Sequence, residues 1–138
     1  MRILILFFFP LTSSAASMTF SSNPSPLAIT KAIPGKELFT VLDTSTTCNL
    51  TVLKKPITIL AALDSPLQAH TTLKIGLSLP PQSASFTSLS TTPQVLASSI
   101  SEGSYPSIQI TYEYAATVAA GVIPMQTRTI FFTLIERE

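Results

Sequence analysis

SIQITYEY, residues 107–114, and TRTIFFTLI, residues 127–135, decide the fold class. In the first, Ile108, Ile110, Tyr112 and Tyr114 alternate with Gln109, Thr111 and Glu113. Successive side chains leave a strand on opposite faces, so this two-residue period predicts a half-buried β-strand. Glu113 sets the phase. Burying an unpaired carboxylate costs far more than any neighbour gains, so the isoleucines and tyrosines are expected to face inward. In the second run Ile130, Phe132 and Leu134 share one face, which leaves Phe131 and Ile135 on the other. The two runs are read as neighbouring antiparallel strands at the heart of an immunoglobulin-like β-sandwich. Gly121 and Pro124 lie in the loop between them.

Working back along the chain, Thr71–Leu79 repeats the pattern: Leu73, Ile75, Leu77 and Leu79 lie on one face, and Pro80-Pro81 ends the run. Shorter candidate strands are Leu27–Ile33, Leu38–Leu42, Thr47–Leu53 and Ile57–Leu63. Lys31 intrudes on the apolar face of the first, as suits an edge strand. Asp43–Thr46 is read as a turn, and so are Pro34-Gly35 and Asp64-Ser65-Pro66. A short strand is expected at Ser85–Leu89, while Val95–Ile100 fits strand or helix. About seven to nine short strands with frequent turn signals predict a sandwich or small barrel.

Composition agrees. The 138 residues are enough for one domain with a real core. Only 11% are charged, against 46% hydrophobic, and 18 serines and 19 threonines provide hydroxylated outer faces for strands. Eight Lys+Arg against seven Asp+Glu leave no basic patch for nucleic acid.

Residues 1–17 have the layout of a secretory signal: Arg2, the apolar run Ile3–Leu11, then Ser14-Ala15-Ala16-Ser17 for a signal peptidase. The run is broken by Pro10 and falls short of the about 20 residues of a membrane-spanning helix. Cleavage after Ala16 or Ser17 is expected, with translation from Met18 as the competing reading. No membrane span remains after cleavage, and no cysteine stands near the site for a lipid anchor. Residues 18–26, ending in Asn23-Pro24-Ser25-Pro26, read as a flexible lead, and residues 27–138 as the sandwich.

Residues for chemistry are sparse. His70 is the only histidine, so neither a multi-histidine metal site nor a Ser-His-Asp triad can be assembled. The glycines (Gly35, Gly76, Gly103 and Gly121) are too scattered for a phosphate loop. No catalytic, cofactor-binding or metal-binding residue is predicted. Cys48, the only cysteine, shares a face with Leu50 and Val52 and reads as a small buried hydrophobe, with an intermolecular disulfide as the alternative. Asn49-Leu50-Thr51 is a glycosylation sequon on the opposite face.

Val41-Leu42-Asp43-Thr44-Ser45-Thr46 resembles the active-site loop of aspartic proteases, with Ser45 where the family has glycine. The resemblance implies an all-β dimer sharing paired carboxylates, with Ala119-Ala120-Gly121 as its later apolar-apolar-Gly element. In general look the chain is also similar to small sandwich domains of bacterial surface and pilus proteins, through its leader, Thr/Ser-rich strands and final alternating strand.

The expectation is an exported, non-enzymatic module without a cofactor, secreted, periplasmic or at the cell surface. It would act as a surface, adhesion or assembly subunit, binding a protein partner or itself through strand edges and an apolar strip that includes Phe131 and Ile135. The alternative is a carbohydrate- or small-ligand-binding sandwich. For that, Tyr105, in the Gly103–Pro106 loop, is the free aromatic ring.

Overall fold

The computed structural model describes residues 2–8, 16–30, 33–79 and 85–137. Ten strands occur among them: β1 (Arg2–Phe8), β2 (Ala16–Phe20), β3 (Leu27–Ala28), β4 (Leu38–Val52), β5 (Ile57–Leu63), β6 (Thr71–Leu77), β7 (Thr87–Ser88), β8 (Gln94–Ile100), β9 (Gly103–Thr117) and β10 (Gln126–Glu136). The described residues contain no α-helix, only a 3-10 turn at Val118–Ala120. The strands form two five-stranded sheets, β3-β1-β10-β5-β8 and β2-β4-β9-β6-β7. Every pairing is antiparallel except β1 with β10, which is parallel.

One core lies between the sheets. Leu27, Ile57, Ile59, Ile130, Phe132 and Leu134 come from the first sheet, and Met18, Leu50, Leu73, Ile75, Ile110 and Tyr112 are among those from the second. The rings of Phe20 on β2 and Phe132 on β10 meet with their centroids 5.0 Å apart. The inward faces expected for β6, β9 and β10 are buried, while Phe131 and Ile135 are exposed. Glu113 lies on the outer face, opposite Lys74 of β6, an oppositely charged cross-strand pair.

The predicted hairpin is corrected. β9 lies between β4 and β6 in one sheet, and β10 between β1 and β5 in the other. Tight hairpins use loops of about two to five residues, whereas Val118–Met125, with its 3-10 turn, is long enough to cross from sheet to sheet. Both strands send their apolar faces into the same core, so they oppose each other across it. Thr47–Leu53 and Ile57–Leu63 are likewise separated, into β4 and β5 of different sheets.

The expected turn at Asp43–Thr46 is a bulge inside one 15-residue strand. The register passes from Asp43↔Tyr112 to Thr46↔Ile110, leaving two residues of β4 opposite one of β9. The extra residue flips the phase: before it Phe39 and Val41 are the half-buried positions, and after it Thr46, Cys48, Leu50 and Val52 are buried. A second register shift, between Cys48 and Leu50, accommodates Pro106 and Ser107 of β9. Ser107 has φ 53°, and its amide donates to the Asn49 Oδ1 at 2.9 Å instead of continuing the ladder. A proline within a sheet is tolerated at such a bulge.

The bulge leaves the Thr46 hydroxyl buried with no hydrogen-bond partner among the described residues. Thr46→Val keeps the shape and removes an unsatisfied polar group, so it should be neutral or stabilising by about 1 kcal/mol. Thermal unfolding checks this: the midpoint should hold or rise by a few degrees, and a clear fall would show that the hydroxyl is bonded.

At the amino-terminal end, Arg2–Phe8, read as part of a secretory signal, is a strand whose residues 3–8 pair with residues 126–131 of β10. Residues 9–15, which hold the rest of that apolar run and part of the cleavage site, lie outside the described residues. The lead segment is tied down at its start. Met18–Phe20 pair with Leu50–Cys48 of β4, because the buried Met18 adds apolar area that a free lead would leave in water. Among the described residues of Leu27–Ile33, strand structure is confined to Leu27–Ala28, and Lys31 lies outside the described residues. Val95–Ile100 is resolved as part of strand β8.

Candidate interaction face

The outward surface of the first sheet carries the candidate partner residues. Phe131 is 37% exposed and Ile135 47%. Pairing sets them in rows: Phe131 lies opposite Ala62, Thr133 opposite Leu60, and Ile135 opposite Thr58. Leu60 is in turn opposite Val95 of β8, whose side chain is exposed. Phe131, Ala62, Leu60, Val95 and Ile135 thus make an apolar strip across three strands, relieved only by threonines. Leu60, Ala62 and Val95 went unread as site residues. Their alignment with Phe131 depends on pairing between distant segments, which the pattern within one segment does not carry.

The strip is braced at its start. Arg128 donates from Nε and Nη2 to the Pro66 carbonyl at 3.0 and 2.8 Å, and from Nη2 to Gln126 Oε1 at 2.9 Å. Asp64 accepts the Thr129 amide at its Oδ1 and donates its own amide to the Thr129 carbonyl. Together these bonds clamp the β5–β6 connection to the first half of β10.

Tyr105 is not a loop ring. It lies in β9, half-buried against the core, and its hydroxyl donates to the Ser101 carbonyl at 2.9 Å. Two hollows among the described residues offer no convergent polar set. One, of about 670 Å3, is lined by the exposed residues Gly35–Leu38 and Thr117–Ala119. The other, of about 200 Å3, lies between the start of β6 and Ser88–Thr91.

The remaining chemical candidates lie apart. His70 is an exposed turn residue with φ 64°. Cys48 is buried, and desolvation pushes its thiol from 9.0 up to about 12, so the reactive thiolate is scarce at neutral pH. Asn49 is exposed, with its side-chain carbonyl engaged by Ser107. Both carboxylate oxygens of Asp43 accept from the Ser45 hydroxyl at 2.9 Å, inside the bulge. Ala119-Ala120-Gly121 lies beyond the Leu38↔Thr117 end of the β4/β9 pair, several register steps from Asp43↔Tyr112. The two protease-like segments are therefore not brought together. Among the described residues no three His, Cys, Asp or Glu side chains gather as a metal site, and no helix is long and apolar enough to cross a membrane.

Comparison with protein-family models, with curated proteins and with solved structures found no match.

Proposed function

We propose that the chain is an exported, non-enzymatic, immunoglobulin-like sandwich module, a surface, adhesion or assembly subunit that works through strand edges and an apolar face. The sheet order supports the immunoglobulin-like reading. β2-β4-β9-β6 follows the A-B-E-D order of that fold and β5-β10 follows C-F, while the place of G beside F is taken by β1, which comes from the start of the chain and runs parallel to β10. Arg2, the apolar run and the small residues Ser14–Ser17 support export.

The observation that carries the interaction reading is the strip of Phe131, Ala62, Leu60, Val95 and Ile135. Apolar side chains gathered on one sheet face, rather than scattered singly, mark a contact surface. Aromatic residues commonly dominate such contacts, which makes Phe131 the anchor.

The test is the molecular mass of the exported product across concentrations, alone and with candidate partners. Phe131→Ser should weaken association roughly tenfold or more, corresponding to about 1.4 kcal/mol. A wild-type protein that stays monomeric and partnerless, with a Phe131→Ser variant indistinguishable from it, would count against the strip.

A further inference from the structure

β1 fills an unusual place. It lies between β3 and β10, in the only parallel pairing among the described strands. It comes from the opposite end of the chain to the strand it pairs with. Its six register partners on β10 run from Ile3↔Gln126 to Phe8↔Phe131. Among the described strands β3 pairs with β1 alone, through Arg2↔Ala28 and Ile3↔Leu27. Adjacent strands lie about 4.8 Å apart, so without β1 a gap one strand wide separates β3 from β10. The side chains of Leu27 and Ile130, on the two flanking strands, are core residues.

The composition of β1 also exceeds what its position requires. A strand of a two-layer fold buries side chains at alternate positions, whereas Ile3–Phe8 is apolar at all six. An unbroken apolar run is what a secretory signal requires. If the leader is removed, as in the reading proposed above, sheet hydrogen-bonding groups on β3 and β10 lose their partners while β2 keeps Met18–Phe20 on β4. Unpaired backbone groups beside an apolar core favour the addition of another strand.

We infer that the place between β3 and β10 is a strand-acceptor slot, filled in the processed protein by an extended segment of another protein. That segment is at least six residues long, apolar at alternate positions, and parallel to β10. Main-chain hydrogen bonds hold it, and the core residues beneath select its side chains. A different protein is the occupant because the described strands from Met18 onward are already committed to the two sheets. The inference rests on export and cleavage for its biological setting, but the slot can be tested without either.

The test uses the full chain carrying Ile5→Pro. Proline at the centre of β1 removes a ladder donor and disrupts its pairing with β10. The probe is a synthetic peptide of the Ile3–Phe8 sequence with flanking lysines. The peptide is expected to bind the variant, raise its unfolding temperature and compete poorly for the wild-type chain. If the variant does not fold alone, refolding with the peptide is expected to rescue it. For direction, a peptide with cysteine at the Leu4 place should form a disulfide with a Thr127→Cys chain in a Cys48→Ala background, and not with Phe131→Cys, because Leu4 registers with Thr127 in the parallel pairing. A variant that the peptide neither binds nor rescues overturns the slot, as does cross-linking at Phe131 alone. Dimers of the Ile5→Pro chain that survive Phe131→Ser and that the peptide does not dissociate would make a second copy the occupant and overturn the assignment. Separately, the mass of the exported product tests the underlying reading: retention of Met1–Ser17 sinks export and leaves the peptide result standing.

Discussion

Phe132→Ala is expected to lower the unfolding free energy by about 3–5 kcal/mol, while Phe131→Ala, one residue earlier, lowers it by no more than about 1. Phe132 is fully buried, and its ring meets that of Phe20 from the opposite sheet. Truncation removes the apolar area of the ring and leaves a void between two sheets that can only partly close. Phe131 points outward and keeps much of its contact with water in the folded state. Domains of this kind hold only about 5–15 kcal/mol in total, so the first change takes a large share. Chemical denaturation of the two variants side by side measures the contrast. Equal effects would mean that β10 is slipped by one residue, since such a slip exchanges its two faces.

The phase of β10 was legible because alternation is a local property. Ile130, Phe132 and Leu134 carry it unaided, and Glu113 does the same for β9 by making one face too costly to bury. Partner choice was not legible in the same way. β9 and β10 follow each other in sequence and both alternate, which fits a hairpin as well as two strands facing across a core. Only the length of Val118–Met125 separates the cases, and turn residues within it hid that length. The same limit applies to the candidate face: Phe131 and Ile135 could be read, but their alignment with Leu60 and Val95 required the register of β5 and β8.

Phase breaks carried more information than the turn reading used. Phe39 and Val41 are odd-numbered, Cys48, Leu50 and Val52 even-numbered, and a single extra residue between them is the mark of a bulge in a continuing strand. Asp43-Thr44-Ser45 suits a turn by residue type, and that local preference outweighed the longer pattern. Tyr105 and Pro106 repeat the case in β9, where Gly103 and Pro106 suggested a loop and the strand runs from Gly103 through both. Ile3–Phe8 poses the reverse problem. A continuous apolar run has the composition of a secretory signal, and because a strand needs apolar residues only at alternate positions, the same run can also take a place in a sheet.

Stability should be steeply lost at alkaline pH. Burial raises the Cys48 thiol from 9.0 to about 12. It also raises the Tyr112 phenol above its ordinary 10.0, with Cys48 and Asp43 adding repulsion as negative neighbours. Tyr114 is raised too, by burial, against the opposing pull of its Thr71 hydrogen bond and Arg128. In the unfolded chain these groups ionise at their ordinary values, so above pH 9 the unfolded state binds fewer protons than the folded one. The slope of stability with pH is then negative, about 1.4 kcal/mol per pH unit for each such proton. The Cys48 contribution is fully present below pH 9 and is lost progressively as pH rises toward about 12. The tyrosines steepen the fall above pH 10. Denaturant midpoints between pH 7 and 11 should therefore hold to about pH 9 and then drop, by several kcal/mol in all. Cys48→Ala should flatten the first part of the drop, between pH 9 and 10, and leave the steeper tyrosine part in place. A profile still level at pH 11 would mean that the thiol and phenols ionise as freely in the fold as outside it, and that water reaches the core beside β4 and β9.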